Sequence, residues 1–359
     1  MKIAIVLGTR PEIIKMSPII RELDRSGLNY FVLHSGQHYS YSMDQVFFEQ
    51  LRLPGAKYNL DVGSGSHGKQ TGKMLTGIEK ILLKEIPDVV LVQGDTNTVL
   101  AGALAASKLN VPVGHVEAGL RSFDRSMPEE INRVVADHTS DLLFAPTEFS
   151  KKCLLNEGIP EEKIFVTGNT VVDAVNQNLE LSKDSFEILD KLGLKEKNYF
   201  LVTLHRQENV DRKEKIASIV KSLQEIKFLL GLELVYPIHP RTRKCLKNFG
   251  IGLDGIRCVD PLDYLSFLYL ESQARLVLTD SGGVQEETCI LKVPCVTLRE
   301  NTERPETIKV GSNILAGTSP ERVLEMIEKM MKVSRNWVNP LGDGSSGKQI
   351  IQILREYFE

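Results

Sequence analysis

What the sequence lacks excludes several kinds of chemistry. Its five cysteines are an odd number and form no Cys-x-x-Cys pair, so we expect reduced thiols rather than a disulfide framework. No His-Glu-x-x-His run or other metal-ligand spacing occurs, so we expect no metal. No stretch approaches the ~20 apolar residues of a membrane-spanning helix. The apolar run at residues 3–7 is too short for a signal peptide, which favours a cytoplasmic protein with no membrane contact.

The sequence also lacks a large excess of charge of either sign. The 359 residues carry a net charge of −3 with both signs interspersed, which argues against a nucleic-acid or membrane surface. Hydrophobic residues make up 42% and charged residues 25%, which are ordinary values for globular proteins. At about 150 residues per domain, this length predicts two domains, each large enough to bury a core.

Two glycine-rich segments nearly match a nucleoside-triphosphate loop. Residues 63–70 read GSGSHGKQ and residues 342–349 read GDGSSGKQ, but Gln70 and Gln349 stand where a magnesium-binding Ser or Thr is required. Neither segment follows a predicted strand. No G-x-G-x-x-G sequence follows the first strand either, so we expect no nicotinamide cofactor and no other cofactor.

Short β-branched runs alternate with helical patterns along almost the whole chain, which is typical of parallel α/β layers. The pattern restarts after a looser, charged stretch at residues 163–198, with a strand predicted over residues 199–206. We therefore predict an N-terminal Rossmann-like domain over residues 1–168 and a C-terminal one over residues 169–344, followed by a last helix at residues 345–359.

Candidate site residues follow from the rule that ligands of open parallel sheets bind beyond the carboxyl ends of the strands. Arg10 comes directly after the first strand, and Lys15 lies about one helical turn further on. Two cations beside exposed helix amides suit a pyrophosphate. The alternative is that both belong to a solvated helix start.

Four acidic residues follow in the first half. Asp95 and Glu117 each end a strand of one βαβ unit, so a right-handed crossover brings both carboxylates to the same sheet edge, as an acid–base pair requires. Asp95 could instead only cap the helix that starts near Thr96. Glu129 and Glu130 open a helix after Pro128, where acidic residues also favour the helix dipole.

The second half offers polar groups after two of its strands. His205 and Arg206 end one strand. After another come Ser281, Gly282 and Gly283, whose amides can close on a phosphate. Glu286 and Glu287 lie on the next helix within reach of a ribose. A further charged rim is predicted at Arg299, Glu300, Glu303 and Arg304.

Together these motifs resemble those of the non-hydrolysing UDP-N-acetylglucosamine 2-epimerases. They occur in the family's order and spread over nearly the whole chain. The matching segments are GTRPE with Lys15, QHYSYSMDQV, VLVQGDT, VGHVEAGLRS, PEEINR, GNTVVDA, TLHR, TDSGGVQEE and NTERPE.

The resemblance implies a GT-B fold, in which two Rossmann-like doubly wound domains enclose a cleft and the C-terminal helix returns to the first domain. It also implies a homodimer that interconverts UDP-N-acetylglucosamine and UDP-N-acetylmannosamine through a bound glycal, without nicotinamide or metal. Surface-polysaccharide synthesis is the expected use of the product.

The resemblance also assigns roles to individual residues. The acid–base and electrostatic set is Asp95, Glu117, Glu129 and His205. The UDP contacts are Arg10, Lys15, Ser281, Gly282, Gly283 and Arg304, with Glu287 on the ribose and Phe267 near uracil. The residues near which a second substrate molecule would bind as activator are Gln37, His38, Gln45, Arg206 and His239.

Two positions depart from the family pattern: Leu204 stands where glycine is common, and Gln207 where a second arginine is common. Four other functions use similar residues. They are a hydrolysing epimerase that releases UDP, an epimerase for a modified UDP-acetamido sugar, a glycosyltransferase, and a non-catalytic UDP-sugar sensor. A sensor could dispense with the four acid–base residues, all of which are present here.

Overall fold

The chain forms two compact units. The computed structural model describes residues 1–36, 41–185 and 187–359, except the side chains of residues 41–44 and 184–185. The first unit comprises Met1–Gln177 and Leu341–Glu359, and the second comprises Asn178–Pro340. Each has one parallel sheet, as shown below, so the α/β fold class expected from the sequence is confirmed.

The first unit alternates strands and helices from its start. Its elements are β1 Lys2–Leu7, α1 Arg10–Arg25, β2 Asn29–His34, α2 Tyr41–Gln50, β3 Tyr58–Asn59, α3 His67–Glu85, β4 Val89–Gln93, α4 Asn97–Lys108, β5 Val113–Val116, α5 Pro128–Thr139, β6 Leu142–Ala145, α6 Glu148–Asn156, a 3-10 turn Glu161–Lys163, β7 Ile164–Val166 and α7 Thr170–Leu181.

The second unit continues the alternation. Its elements after α7 are a 3-10 turn Ser182–Ser185, α8 Glu187–Lys191, β8 Tyr199–Thr203, α9 Gln207–Val210, α10 Lys213–Leu230, β9 Glu233–Pro237, α11 Pro240–Phe249, β10 Arg257–Val259, α12 Tyr264–Gln273, β11 Leu276–Thr279, α13 Gly282–Ile290, β12 Cys295–Thr297, α14 Pro305–Lys309, β13 Asn313–Leu315 and α15 Pro320–Met330. The last helix, α16 Ser346–Phe358, belongs to the first unit.

Both sheets are doubly wound. Within the described residues the first sheet has the strand order β3-β2-β1-β4-β5-β6-β7 and the second β10-β9-β8-β11-β12-β13, with every pairing parallel. Such strands are covered on both faces, which explains the fully buried apolar run of β1. The strand order reverses between β1 and β4 and between β8 and β11. These two switch points are where ligands of open α/β sheets bind.

The C-terminal helix is anchored on the first unit by Asp173 of α7. Its carboxylate accepts hydrogen bonds from Ser346 N at 3.2 Å and Gly347 N at 2.9 Å, at the start of α16. A Cβ on Gly347 would lie 3.1 Å from the backbone of Pro18 in α1, so glycine lets the two helices approach closely. The GDGSSGKQ segment therefore starts a structural helix.

The two units divide the chain differently from the expected boundary at residues 168 and 169. The observed division falls inside α7, between Gln177 and Asn178, and the chain returns at Leu341. Strand periodicity ends before α7 and carries no information on where a continuous helix passes from one unit to the other. The Asp173 contacts place the first half of α7 with the first unit.

Two other expectations concern features outside the sheets. Among the helices of residues 1–36, 41–185 and 187–359, none is long and apolar enough to cross a membrane. All five cysteines are free, and three of them, Cys153, Cys289 and Cys295, are buried.

Candidate functional site

The loop after β1 is fixed by a buried carboxylate. Glu12 accepts hydrogen bonds from Gly8 N at 2.6 Å and Thr9 N at 2.9 Å through one oxygen, and from the Thr96 hydroxyl through the other. A Cβ on Gly8 would lie 1.9 Å from Ser35 Oγ, so only glycine fits there. Arg10 follows, with its guanidinium carbon 4.9 Å from the centroid of an aromatic ring, that of Phe47. Glu12 thereby connects the loops after β1 and β4.

Burial raises the pKa of Glu12 from 4.5 to about 7, although its hydrogen bonds with Thr96, Gly8 and Thr9 act in the opposite direction. Because the folded-state pKa lies above the unfolded value, the folded state holds the proton more tightly. The resulting stabilisation is complete below pH 4.5 and is lost as the pH rises through 7. Over this window the loss amounts to about 3 kcal/mol.

We expect Glu12→Gln to remove this pH dependence. A glutamine oxygen can accept from Gly8 and Thr9 while its amide donates to Thr96, and the side chain stays neutral at every pH. The variant should therefore gain about 3 kcal/mol relative to the unsubstituted chain between pH 4.5 and 8. Urea unfolding of both chains across this range measures the difference in their free energies of unfolding. Other titrating groups are common to both chains, so their contributions cancel. A difference that stays constant with pH would contradict the prediction.

Glu117 follows β5 in a left-handed backbone conformation, with φ of 71°. Its side chain is buried beside Lys15, whose Nζ lies 2.6 Å from Glu117 Oε1. Asn169 Nδ2 donates to the same oxygen at 3.1 Å, and Gln93 Nε2 donates to the other. This set of donors stabilises the ionised carboxylate. Lys15, which the sequence predicts to contact a pyrophosphate, is thus also paired with Glu117.

A buried histidine supports the loops that carry Asp95 and Glu117. His115 of β5 has its Nδ1 2.6 Å from Asp137 Oδ1 and its Nε2 2.8 Å from the carbonyl oxygen of Gly94. Because both nitrogens face acceptors, both carry protons. Burial disfavours that charge, but the attraction of Asp137 outweighs it and raises the pKa of His115. Asp137 also accepts from Gly119 N at 3.2 Å, so His115 and Asp137 together connect the β4 and β5 loops.

Asp95 and Glu129 line one pocket of about 280 Å³ in the first unit. Arg133 pairs with one carboxylate oxygen of Asp95, and Asn132 donates to its backbone oxygen at 2.9 Å. The Asp95 side chain remains 34% exposed, so a ligand can reach it. The helix cap is Thr96, which accepts from Val99 N at 3.4 Å, so the alternative that Asp95 caps α4 is wrong.

The same pocket contains polar residues that the sequence analysis did not single out. Asn97 Nδ2 lies 2.8 Å from Gln70 Oε1 and 3.3 Å from His67 Nδ1, and Asn132 Nδ2 donates to Asn97 Oδ1 at 3.2 Å. His67 and Gln70 belong to the GSGSHGKQ segment. Its resemblance to a phosphate loop obscured that it begins α3 and faces the pocket.

The two adjacent acids of α5 differ in their surroundings. Glu129 is exposed at the pocket, whereas Glu130 is buried and accepts from Ser122 N at 2.9 Å and Phe123 N at 3.1 Å. Burial opposes the ionisation of Glu130, but the hydrogen bonds from Ser122 outweigh it and lower the pKa. Glu130 therefore fixes the loop before α5, and Glu129 is the acid available to a ligand.

In the second unit, His205 lies just beyond the switch-point strand β8, which ends at Thr203 rather than Arg206. Its Nδ1 lies 3.3 Å from Asp280 Oδ1, and the imidazole is 53% exposed. Asp280, fully buried after β11, also accepts from Arg206 N at 3.1 Å and Asn209 Nδ2 at 3.2 Å. Burial opposes its ionisation, but the contacts with His205 outweigh this effect and lower its pKa. The aspartate of the TDSGG segment is thus the partner of His205, a pairing that the sequence pattern does not indicate.

Beside His205, helix α13 begins with open space around its first amides. Ser281 is the N-cap residue, and its side chain accepts no capping hydrogen bond. A Cβ on Gly282 would meet nothing closer than 3.8 Å, and one on Gly283 nothing closer than 3.9 Å. Packing therefore does not require either glycine. The close approach of a ligand to the backbone would explain why glycine occupies both positions.

Charged side chains surround this helix start. Arg304 Nε lies 2.6 Å from Glu286 Oε1, and Arg206 lies 3.8 Å from Glu303. Arg299 is nearly buried and binds Glu303 through both terminal nitrogens at 2.9 Å. The predicted rim residues Arg299, Glu303 and Arg304 thus form ion pairs, and Arg304 and the neighbouring Arg206 are more exposed than Arg299.

The remaining predicted contacts are distributed over the second unit. Glu287 accepts a hydrogen bond from Tyr264 Oη at 3.2 Å, and Phe267 of α12 is partly buried against the core. Leu204 is also buried, and its carbonyl accepts from Tyr236 Oη at 3.0 Å, so this departure from glycine fills the core.

Three residues of the predicted activator site, Gln45, Arg206 and His239, lie in the described part of the chain. Gln37 and His38 lie outside the described residues. Gln45 donates to Glu49 at 3.0 Å, and His239 caps α11 by accepting from Arg241 N at 3.2 Å. Their role as an activator site stays a prediction.

In the part of the chain that the structure describes, no group of three His, Cys, Asp or Glu residues could hold a metal ion.

Two parallel, doubly wound units with polar residues at both switch points define a protein of the GT-B class. A family model described as UDP-N-acetylglucosamine 2-epimerase matches residues 21–355. The chain belongs to the UDP-N-acetylglucosamine 2-epimerase family.

Individual relatives agree with this assignment. The UDP-N-acetylglucosamine 2-epimerase of Methanocaldococcus jannaschii is 57% identical over 361 residues, with 99% of both chains covered. Its crystal structure with UDP-GlcNAc and UDP matches with a TM-score of 0.89 over 99% of this chain and 100% of that chain. The Neisseria meningitidis enzyme bound to UDP-GlcNAc matches at 35% identity and a TM-score of 0.90, with 99% and 100% covered. A Pseudomonas aeruginosa UDP-2,3-diacetamido-2,3-dideoxy-D-glucuronate 2-epimerase is 40% identical, with 99% of both chains covered.

Proposed function

We propose that this chain catalyses the reversible epimerisation of UDP-N-acetylglucosamine at carbon 2, giving UDP-N-acetylmannosamine. The observation that carries the proposal is the pair of reachable carboxylates, Asp95 and Glu129, in one pocket at the switch point of the first sheet. The 57% identical relative is named for the same activity, which supports this choice of sugar.

The proposed reaction is an elimination followed by a re-addition. A base removes the proton from carbon 2, the bond from carbon 1 to the diphosphate oxygen breaks, and a carbon 1–carbon 2 double bond forms. UDP leaves with the electron pair of that bond. A proton is then delivered to the opposite face of carbon 2 while UDP adds back to carbon 1. No electrons are gained or lost overall, so the reaction needs no oxidant and no nicotinamide.

Within this scheme the first unit acts on the sugar. We assign removal of the carbon 2 proton to Asp95, because its carboxylate lies open to the pocket. Glu129, in the same pocket, is assigned to proton transfer on the other face. Glu117 stays ionised beside Lys15 and stabilises positive charge that develops on the sugar as UDP departs.

The second unit is assigned to the UDP moiety. The α13 amides at Ser281, Gly282 and Gly283 suit the diphosphate, because a helix N-terminus attracts anions and the glycines leave room for close approach. His205, oriented by Asp280, is assigned to the departing diphosphate, with Arg10 and Arg304 as further cations. Glu287 is assigned to the ribose and Phe267 to the uracil.

Proton NMR of UDP-N-acetylglucosamine with the purified protein in deuterated water tests the proposal. We expect UDP-N-acetylmannosamine with deuterium at carbon 2 and little free UDP. Accumulation of UDP and free N-acetylmannosamine would instead identify a hydrolysing enzyme. Turnover only of a UDP-diacetamido uronic acid would favour the activity for which the 40% identical relative is named. Binding without any turnover would indicate a sensor.

The active species is proposed to be a homodimer, as the family resemblance implies. Light scattering on the NMR sample gives the mass directly. A mass near that of one chain, 40.2 kDa, would contradict this part of the proposal.

A further inference from the structure

A second carboxyl group lies behind the proposed ribose contact. Glu271 of α12 is fully buried and lies next to Glu287 of α13. Tyr264 precedes Glu271 by seven residues, which places both on one face of α12, and its hydroxyl donates to Glu287 Oε1 at 3.2 Å. Helix α12 therefore presents two groups to a single carboxylate.

The surroundings of Glu271 determine its protonation state. Among the described residues, no hydrogen-bond donor contacts either of its carboxyl oxygens, and no Lys, Arg or His pairs with it. A buried carboxylate without a cation or donor is strongly disfavoured, and beside the charge of Glu287 it is disfavoured further. Burial first, and then Glu287, raise the pKa of Glu271 well above its ordinary value. Glu271 is thus a neutral acid, and its hydroxyl can donate to Glu287.

We propose that Glu271 is a positioning residue, which together with Tyr264 orients the Glu287 carboxylate so that it binds the vicinal hydroxyls of a nucleoside diphosphate ribose. This inference rests on the proposed function, which places the ribose at Glu287. A carboxylate has about four acceptor positions. Tyr264 and Glu271 each donate to it from within the fold, and we expect the two ribose hydroxyls to donate to it from the ligand.

A preference for ribonucleotides follows from this arrangement. An ionised carboxylate oriented by two buried donors loses a charge-assisted hydrogen bond when the ligand lacks its 2′-hydroxyl, and such a bond is worth about 10- to 100-fold in affinity. If Glu271 is replaced by an apolar residue, Glu287 loses one of the donors that orient it. The preference should then shrink while the diphosphate contacts are retained.

The test compares UDP with 2′-deoxy-UDP by isothermal titration calorimetry. We expect the unsubstituted chain to bind UDP about 10- to 100-fold more tightly than 2′-deoxy-UDP. Glu271→Leu should lower this ratio at least about fivefold, mainly through weaker UDP binding. Glu271→Gln should preserve the ratio, because its amide is neutral and still donates to Glu287. If Glu271 contributes only to packing, the Leu variant should lose affinity for both ligands by the same factor.

The possible failures are distinguishable. If the unsubstituted chain does not bind UDP, the proposed function fails. If it binds UDP and 2′-deoxy-UDP equally, the inference fails because Glu287 does not recognise the ribose hydroxyls. If the unsubstituted chain discriminates and Glu271→Leu discriminates equally well, Glu271 has no positioning role. Circular dichroism checks the fold of each variant, and Glu271→Met, which is unbranched, replaces the Leu variant if that one is unfolded.

Discussion

Asp95→Asn is expected to lower the rate of carbon 2 proton exchange by about 10²- to 10⁴-fold, the usual contribution of a positioned general base. Asparagine has the same shape, and the backbone contact from Asn132 to residue 95 does not depend on the side chain. The variant can therefore fold and bind UDP-sugars but cannot accept the proton. Deuterium incorporation at carbon 2, followed by NMR in deuterated water, measures the chemical step itself.

The matched control for this variant is Asp141→Asn. Asp141 lies at the amino ends of the strands of the same sheet, whereas Asp95 lies at their carboxyl ends. The Asp141 carboxylate accepts a hydrogen bond from Val113 N at 3.1 Å at the start of β5. The substitution is chemically identical but distant from the pocket, so exchange should continue at nearly the unsubstituted rate. If Asp95→Asn exchanges the proton as fast as the control, the base is another group, and Glu117→Gln becomes the next variant to measure.

Gly119→Ala is expected to destabilise the chain by roughly 3–4 kcal/mol. Gly119 has a φ of +79°, and an added Cβ would lie 2.4 Å from the backbone oxygen of Ser150 and 2.9 Å from Leu154 Cγ. The alanine must therefore adopt an unfavourable backbone conformation and also displace α6. Since Gly119 is two residues from Glu117, the displacement should lower epimerase activity as well.

Gly158→Ala separates these two causes. Gly158 has a φ of +82°, and nothing lies within 4 Å of an added Cβ, so its substitution carries only the backbone term of about 1–2 kcal/mol. Urea unfolding of both variants gives the difference in free energy of unfolding. Equal losses would show that α6 moves aside easily and that contact with Ser150 does not require glycine at position 119.

The sequence predicted the parts of the site that follow from strand order. A polar residue directly after a buried strand must lie at the carboxyl edge of a parallel sheet. This placed Asp95, Glu117, His205 and Ser281 at sheet edges without coordinates. The fold class was predicted for the same reason, since alternating strand and helix patterns admit few arrangements. The family resemblance added the expected role of each residue.

The sequence did not predict which side chains pair with one another. Lys15 and Glu117 are 102 residues apart, and His205 and Asp280 are 75 apart, so no helical or strand period relates them. The same holds for Glu271, which reads as an ordinary polar residue of a helix until its burial beside Glu287 is known. His67 lies in a segment that resembles a phosphate loop, and this pattern does not indicate that the segment faces a pocket.

The placement of α16 has a consequence for synthesis on the ribosome. The first unit includes residues 341–359, so it cannot be completed until these residues have been made. At about 5–20 residues per second, the 182 residues from Asn178 to Glu359 take ~10–40 s to translate. The second unit, which is continuous in sequence, has all its residues before the first does. During that interval the face of α1 that α16 covers remains exposed in the nascent chain.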